Sequence, residues 1–130
     1  MDFAIIGHSL GALVGAKYIW RVWREHHPYT ISMLISLGGR LKNLPGKFSW
    51  FCEDVIPEIE KTYWCILKRP EKTSIYTIWG RCDALVEERA ARLDYSTGKH
   101  KTIPGCGHSG VIFSPEAHNT VAEQVRHWSE

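Results

Sequence analysis

The sequence predicts an α/β fold with about four parallel strands flanked by helices. Three observations carry this. Short apolar runs alternate with helix-length segments along the whole chain. The runs Phe3–Ile6, Thr30–Leu37 and Ser74–Trp79 are apolar almost throughout, as in strands buried on both faces. Glycine or proline closes the later ones, at Gly38-Gly39, at Gly80 and at Pro104-Gly105.

In chain order, Phe3–Ile6 reads as a buried strand. Leu10 to about Arg24 is Ala-rich, apolar on more than one face and helical, and it ends at His26-His27-Pro28 because Pro28 disfavours helix at His27. Thr30–Leu37 (TISMLISL) is the second strand, and residues 40–46 are loop. Phe48–Leu67 is aromatic-rich and helical, interrupted near Pro57. Ser74–Trp79 (SIYTIW) is the third strand. Glu87–Leu93 suits a short helix, and Lys99–Ile103 a fourth, short strand. Ser114 caps the last helix, with Pro115 at its first position and Glu116 in its first turn. Val121, Val125 and Trp128 give that helix one apolar face.

Composition bounds the function. The chain has 130 residues, 44% of them hydrophobic, enough for one domain with a core. A formal charge of +2, with the basic residues scattered, argues against nucleic acid and anionic membrane as partners. No apolar run is long enough to span a bilayer. No signal peptide is visible, which favours a cytoplasmic location for the chain as given. Cys52, Cys65, Cys82 and Cys106 lack C-x-x-C spacing, so no metal site is expected.

The motif that carries chemistry is Gly7-His8-Ser9-Leu10-Gly11, a G-x-S-x-G pattern with a strand before it and a helix after it. The pattern alone arises by chance in about 4% of chains this long. Its strand-to-helix context is what gives it weight. A serine on such a turn has its hydroxyl thrust out from the end of the sheet. Gly7 and Gly11 are expected to relieve crowding against the neighbouring strand and helix. Helix onset after Ser9 puts the amide of Leu10 where an oxyanion would form.

A serine needs a base, and the base an orienting acid. In an open parallel sheet both belong just past the carboxyl ends of strands. Asp83 follows the third strand and His108 the fourth, giving the order Ser, Asp, His. Competing groups are placed worse. Asp94 and His100 flank the entry to the fourth strand, at the opposite rim. Asp54 lies in the aromatic segment, His26 and His27 past the wrong helix end, and His118 and His127 on the last helix. His8 is assigned to packing or to lining the pocket. Two motif look-alikes fail. Gly105–Gly110 fits G-x-G-x-x-G, but a dinucleotide fold needs another helix, a strand and an acidic residue about 20 positions on, and the chain as given ends 20 residues after Gly110. Gly11–Tyr18 lacks the second glycine and the hydroxyl of a P-loop.

With these residues in view, the chain resembles the C-terminal half of an α/β-hydrolase of the lipase and esterase kind. The resemblance rests on Ile6-Gly7-His8-Ser9-Leu10-Gly11-Ala12, on the acid loop from Ile78 to Val86, and on Gly107-His108-Ser109-Gly110 followed by the last helix. It implies ester substrates, small-molecule or lipid, an acyl-enzyme and no cofactor. It also implies that the strands are the fifth to eighth of that fold. Ser9 would be nucleophile, His108 base then acid, and Asp83 the orienting carboxylate. Residues 1–130 would form a single truncated domain without its N-terminal strands. Phe3–Ile6 would then be an exposed edge. The oxyanion hole would be one donor short, worth roughly 10²–10³ in rate. A second copy, or an upstream hydrolase half, would pair with that edge. The alternative function is an inactive or weakly active remnant, an interaction module that needs a partner chain.

Residues 42–70 fall where this family inserts a cap or lid. Phe48, Trp50, Phe51 and Trp64 are candidates for an apolar pocket wall, and a helix packed on the sheet is the equal alternative. Cys82 and Cys106 lie beside the proposed acid and base. Reduced thiols are expected, and a disulfide there would imply an oxidising compartment.

Overall fold

The computed structural model describes residues 1–42, 56–68, 73–93 and 99–130. Four strands form one parallel sheet: β1 (Asp2–His8), β2 (Thr30–Leu37), β3 (Ser74–Gly80) and β4 (Lys99–Ile103), in the order β1-β2-β3-β4. Each lies beside its neighbour in sequence, so every connection is a crossover over one face of the sheet.

α1 (Leu10–Arg24) covers one face. Ala12, Leu13, Ala16, Ile19 and Val22 pack on Ile31, Leu34 and Ile75, and the core on this side extends to Ile59 and Ile66. Those two come from α2 (Ile56–Leu67), which lies against α1 and is tied to it by an exposed Lys17–Glu58 ion pair. Arg21 and Arg24 in the last turn of α1 complement its dipole. α4 (Pro115–Ser129) covers the other face. Val121, Val125 and Trp128 pack on a core of Met33, Ile35, Leu37, Ile78, Ile103 and Val111. The Trp128 indole N–H also reaches Ser32 Oγ at 2.7 Å. Ser114 caps α4 as expected, its hydroxyl accepting from the Ala117 amide.

Three details differ from the sequence reading. The short helix α3 spans only Glu88–Ala91, because Arg92 has already turned to extended backbone. A single 3₁₀ turn, Gly110–Ile112, precedes α4 and buries Val111. β1 runs on through Gly7 and His8, which pair with Ser36 and Leu37. Of the helical segment expected over Phe48–Leu67, residues 48–55 lie outside the described residues.

The register aligns the carboxyl ends of the strands. His8 faces Leu37, Leu37 faces Ile78, and Gly80 faces Ile103. The loops that follow therefore open on one rim.

Candidate active site

Ser9 is the residue between β1 and α1. Its backbone sits at φ 55, ψ −122, a strained conformation for a residue with a side chain. Two backbone bonds hold it there: Ser9 N–H to the Leu37 carbonyl at 3.0 Å, and Ala12 N–H to the Ser9 carbonyl at 3.1 Å. Serine at a helix start ordinarily spends its hydroxyl on capping. Here the hydroxyl makes no cap bond. It lies 2.8 Å from Nε2 of His108 instead.

His108 Nδ1 lies 2.8 Å from Oδ2 of Asp83. The Asp83 side chain is 1% exposed. Its Oδ1 accepts the amides of Leu85 and Val86, both at 2.8 Å, so both carboxylate oxygens are engaged. With Nδ1–H donating to Asp83, Nε2 is left as an acceptor for the serine proton. The loop that carries His108 is stitched to the loop that carries Asp83, the Cys82 N–H donating to the Cys106 carbonyl at 2.9 Å.

Three contributions were not read from the sequence. Gly38, at φ +63, lets the chain turn under the site. A Cβ there would stand 3.5 Å from both Asp83 Oδ2 and His108 Nδ1. Arg40, buried, donates to the Leu85 carbonyl at 3.0 Å and so braces the acid loop. His8 bonds to the backbone of His108. Among these, only the glycine pair Gly38-Gly39 left a local sequence signal.

The structure thus brings Ser9, Asp83 and His108 together on one rim. Leu10 opens α1, with its side chain exposed. His100 lies within β4, its ring bonded to Thr77 and Thr102 and away from Ser9. Trp64 is 62% exposed on α2. Phe48, Trp50 and Phe51 lie outside the described residues, as do Asp54 and Asp94. Cys82 and Cys106 are free thiols, and burial pushes the Cys106 thiol up from its ordinary value.

One expectation is corrected. Gly7 is sterically required, since a Cβ there would come within 2.7 Å of backbone atoms of Gly11 and Ala12. Gly11 is not: a Cβ there meets nothing among the described residues within 4 Å. Gly11 is exposed, and among the described residues β1 is paired on one side alone, with β2.

Among the described residues, no cluster of His, Cys, Asp or Glu is arranged to hold a metal ion, and no helix is long and apolar enough to cross a membrane.

No protein-family profile matches the sequence, and no curated protein matches it. Solved structures do. A monoacylglycerol lipase of Paleococcus ferrophilus superposes with TM-score 0.61 at 12% identity, over 98% of this chain and 68% of its own. A structure from work on carboxylesterases of Nitrososphaera gargenis gives 0.60 at 14% identity, over 97% and 65%. Human thioesterase 2 gives 0.56 at 15% identity, over 95% and 71%. The fold is thereby defined as a partial α/β-hydrolase fold. The chain spans 65% to 71% of the length of these three solved proteins.

Proposed function

We propose that this chain carries the nucleophile, base and acid of a serine hydrolase that cleaves carboxylic esters, lipid esters included. The reading is supported above all by one observation: a single imidazole bridges Ser9 Oγ and a buried carboxylate with two 2.8 Å contacts.

In this mechanism His108 Nε2 takes the Ser9 proton as Oγ attacks the ester carbonyl. Asp83 holds the ring in the Nδ1–H tautomer and stabilises the imidazolium. The Leu10 amide, at the positive end of α1, donates to the oxyanion. Collapse of the tetrahedral adduct breaks the bond to the alkoxide, which leaves with the proton from His108. Water, deprotonated by the same nitrogen, then releases the acid and restores Ser9. A thioester or amide would follow the same steps, and substrate profiling separates them.

A fluorophosphonate probe tests the reading. It is expected to label Ser9 in the folded chain and to fail in Ser9→Ala and His108→Ala. A folded chain that does not label refutes it.

A second reading has its own observation. Among the described residues β1 is an edge strand, paired with β2 alone, and its Phe3 and Ile6 are half exposed. An open groove of about 580 Å³ runs beside it, lined by Ile6, Leu37, Ile112, Val121 and Val125. In this reading the chain is an interaction module of low activity, and an upstream hydrolase half supplies a strand to β1 and the second oxyanion donor. The same probe discriminates: labelling that rises roughly 10²–10³-fold on adding such a half supports the module.

A further inference from the structure

β1 ends on His8, and the imidazole of His8 reaches across to the loop that carries the base. Its Nε2 lies 2.8 Å from the backbone carbonyl oxygen of His108. The two rings sit 5.1 Å apart, tilted by 43°. A carbonyl only accepts, so Nε2 of His8 carries the proton.

The other ties of the base loop run elsewhere. The Cys106 carbonyl accepts from Cys82, in the acid loop. The Gly107 carbonyl accepts from Val111, in the next turn. The His108 ring is held by Asp83. The bonds to Cys82 and Asp83 fix base to acid, and the one to Val111 is local. They do not fix base to serine. Toward the Ser9 turn the base loop has two hydrogen bonds among the described residues: the reacting one to Ser9 Oγ, and the one from His8.

The two bonds have different fates. The Ser9–His108 bond is consumed when the proton moves and Oγ attacks carbon. The His8 bond contains no reacting atom and persists. It is anchored one residue from Ser9, on a strand end held against Leu37 by the sheet register.

Building on the hydrolase reading, we propose that His8 is a positioning residue. Its Nε2–H clamps the His108 backbone at the separation where the base meets Ser9, and keeps it there while the reacting bond is broken. Proton transfer is steep in distance, and a misplacement near 1 Å costs about 10²-fold.

Two substitutions separate the donor from the ring. His8→Phe keeps a ring against His108 and removes the N–H. His8→Gln keeps an amide N–H at similar reach and removes the ring. The readout is fluorophosphonate labelling of Ser9, resolved into the saturating rate and the half-saturating concentration. His8→Phe is expected to lower the saturating rate about 10- to 100-fold with half-saturation unchanged. His8→Gln is expected to recover most of that loss. Unchanged labelling in His8→Phe, or no recovery in His8→Gln, overturns the clamp. In both variants the downfield Nδ1 proton that His108 shares with Asp83 should remain. Its loss in His8→Phe would mark general collapse of the loop and overturn the assignment.

A second measurement does not depend on activity. Imidazole ¹⁵N shifts of the unsubstituted chain should show His8 as the Nε2–H tautomer, and the His108 carbonyl ¹³C shift should change in His8→Phe. The Nδ1–H tautomer, or an unmoved carbonyl shift, overturns the proposal. A serine that never labels refutes the hydrolase reading instead, and these shifts alone then judge the clamp.

Discussion

The two edges of the sheet are built from opposite chemistry. β4 reads Lys-His-Lys-Thr-Ile, with Lys99 and Lys101 exposed. Lys101 pairs with Glu116 at 3.5 Å, and Thr102 donates to Glu88 of α3 at 3.3 Å. Charges on an edge strand discourage another strand from docking there. β1 carries no such guard beyond Asp2. Phe3 is 44% and Ile6 50% exposed, and Val14 on the adjoining face of α1 is 68% exposed. α1 packs on one face of β1, with Gly15 close against Ile5, while the face toward α4 carries an open groove. The difference teaches that β4 is finished as a boundary and β1 is not. Ser9 stands on the β1 side, and Asp83 and His108 follow β3 and β4.

The largest expected effect tests the two sides of the serine turn. Gly7→Ala drives a methyl into backbone atoms at 2.7 Å and should cost about 3 kcal/mol in urea unfolding. Gly11→Ala fills open space and should stay within about 0.5 kcal/mol. Equal costs would mean that Gly11 is crowded after all, and would break the contrast. Next come the edges themselves. Ile6→Lys should lower self-association several-fold in sedimentation, and Lys101→Ile should raise it. If Ile6→Lys leaves association unchanged while Lys101→Ile changes it, the edges have been assigned the wrong way round.

The smallest effect belongs to His100, inside β4. Burial, with Arg92 adding, holds its imidazole below the ordinary value near 6.5, against the opposing pull of Glu88. A folded value below the unfolded one means the unfolded chain takes up the proton first. The stability His100 contributes is therefore whole above about pH 6.5 and drains as pH falls through the folded value. Urea midpoints at pH 7 and pH 5 should differ less in His100→Gln than in the unsubstituted chain. An equal difference would remove His100 from the account of this edge.

Local signals made most of the fold legible. The continuous apolar run marked β2 at both of its ends, and Ser114-Pro115-Glu116 marked the start of α4. The 3₁₀ turn Gly110–Ile112 was not legible, because three residues carry no periodicity. Of the site, Ser9, Asp83 and His108 could be nominated from strand ends and chain order. Their separations could not, since those depend on sheet register. The bond from His8 to residue 108 spans the length of the chain and leaves no local trace. Nor does Arg40, whose burial arises only when the loop after β2 folds under the acid loop. The expectation for Gly11 erred because it assumed crowding from a neighbouring strand, and among the described residues none lies on that side of β1.

The sequential strand order has a consequence for assembly. Ser9 is placed by the first two strands alone, whereas its imidazole arrives only after the fourth strand has joined the third. A half-assembled sheet therefore displays a serine with no proton acceptor. On the hydrolase reading proposed above, labelling of Ser9 would require that far edge to be in place, so its onset during refolding would report when β4 has docked.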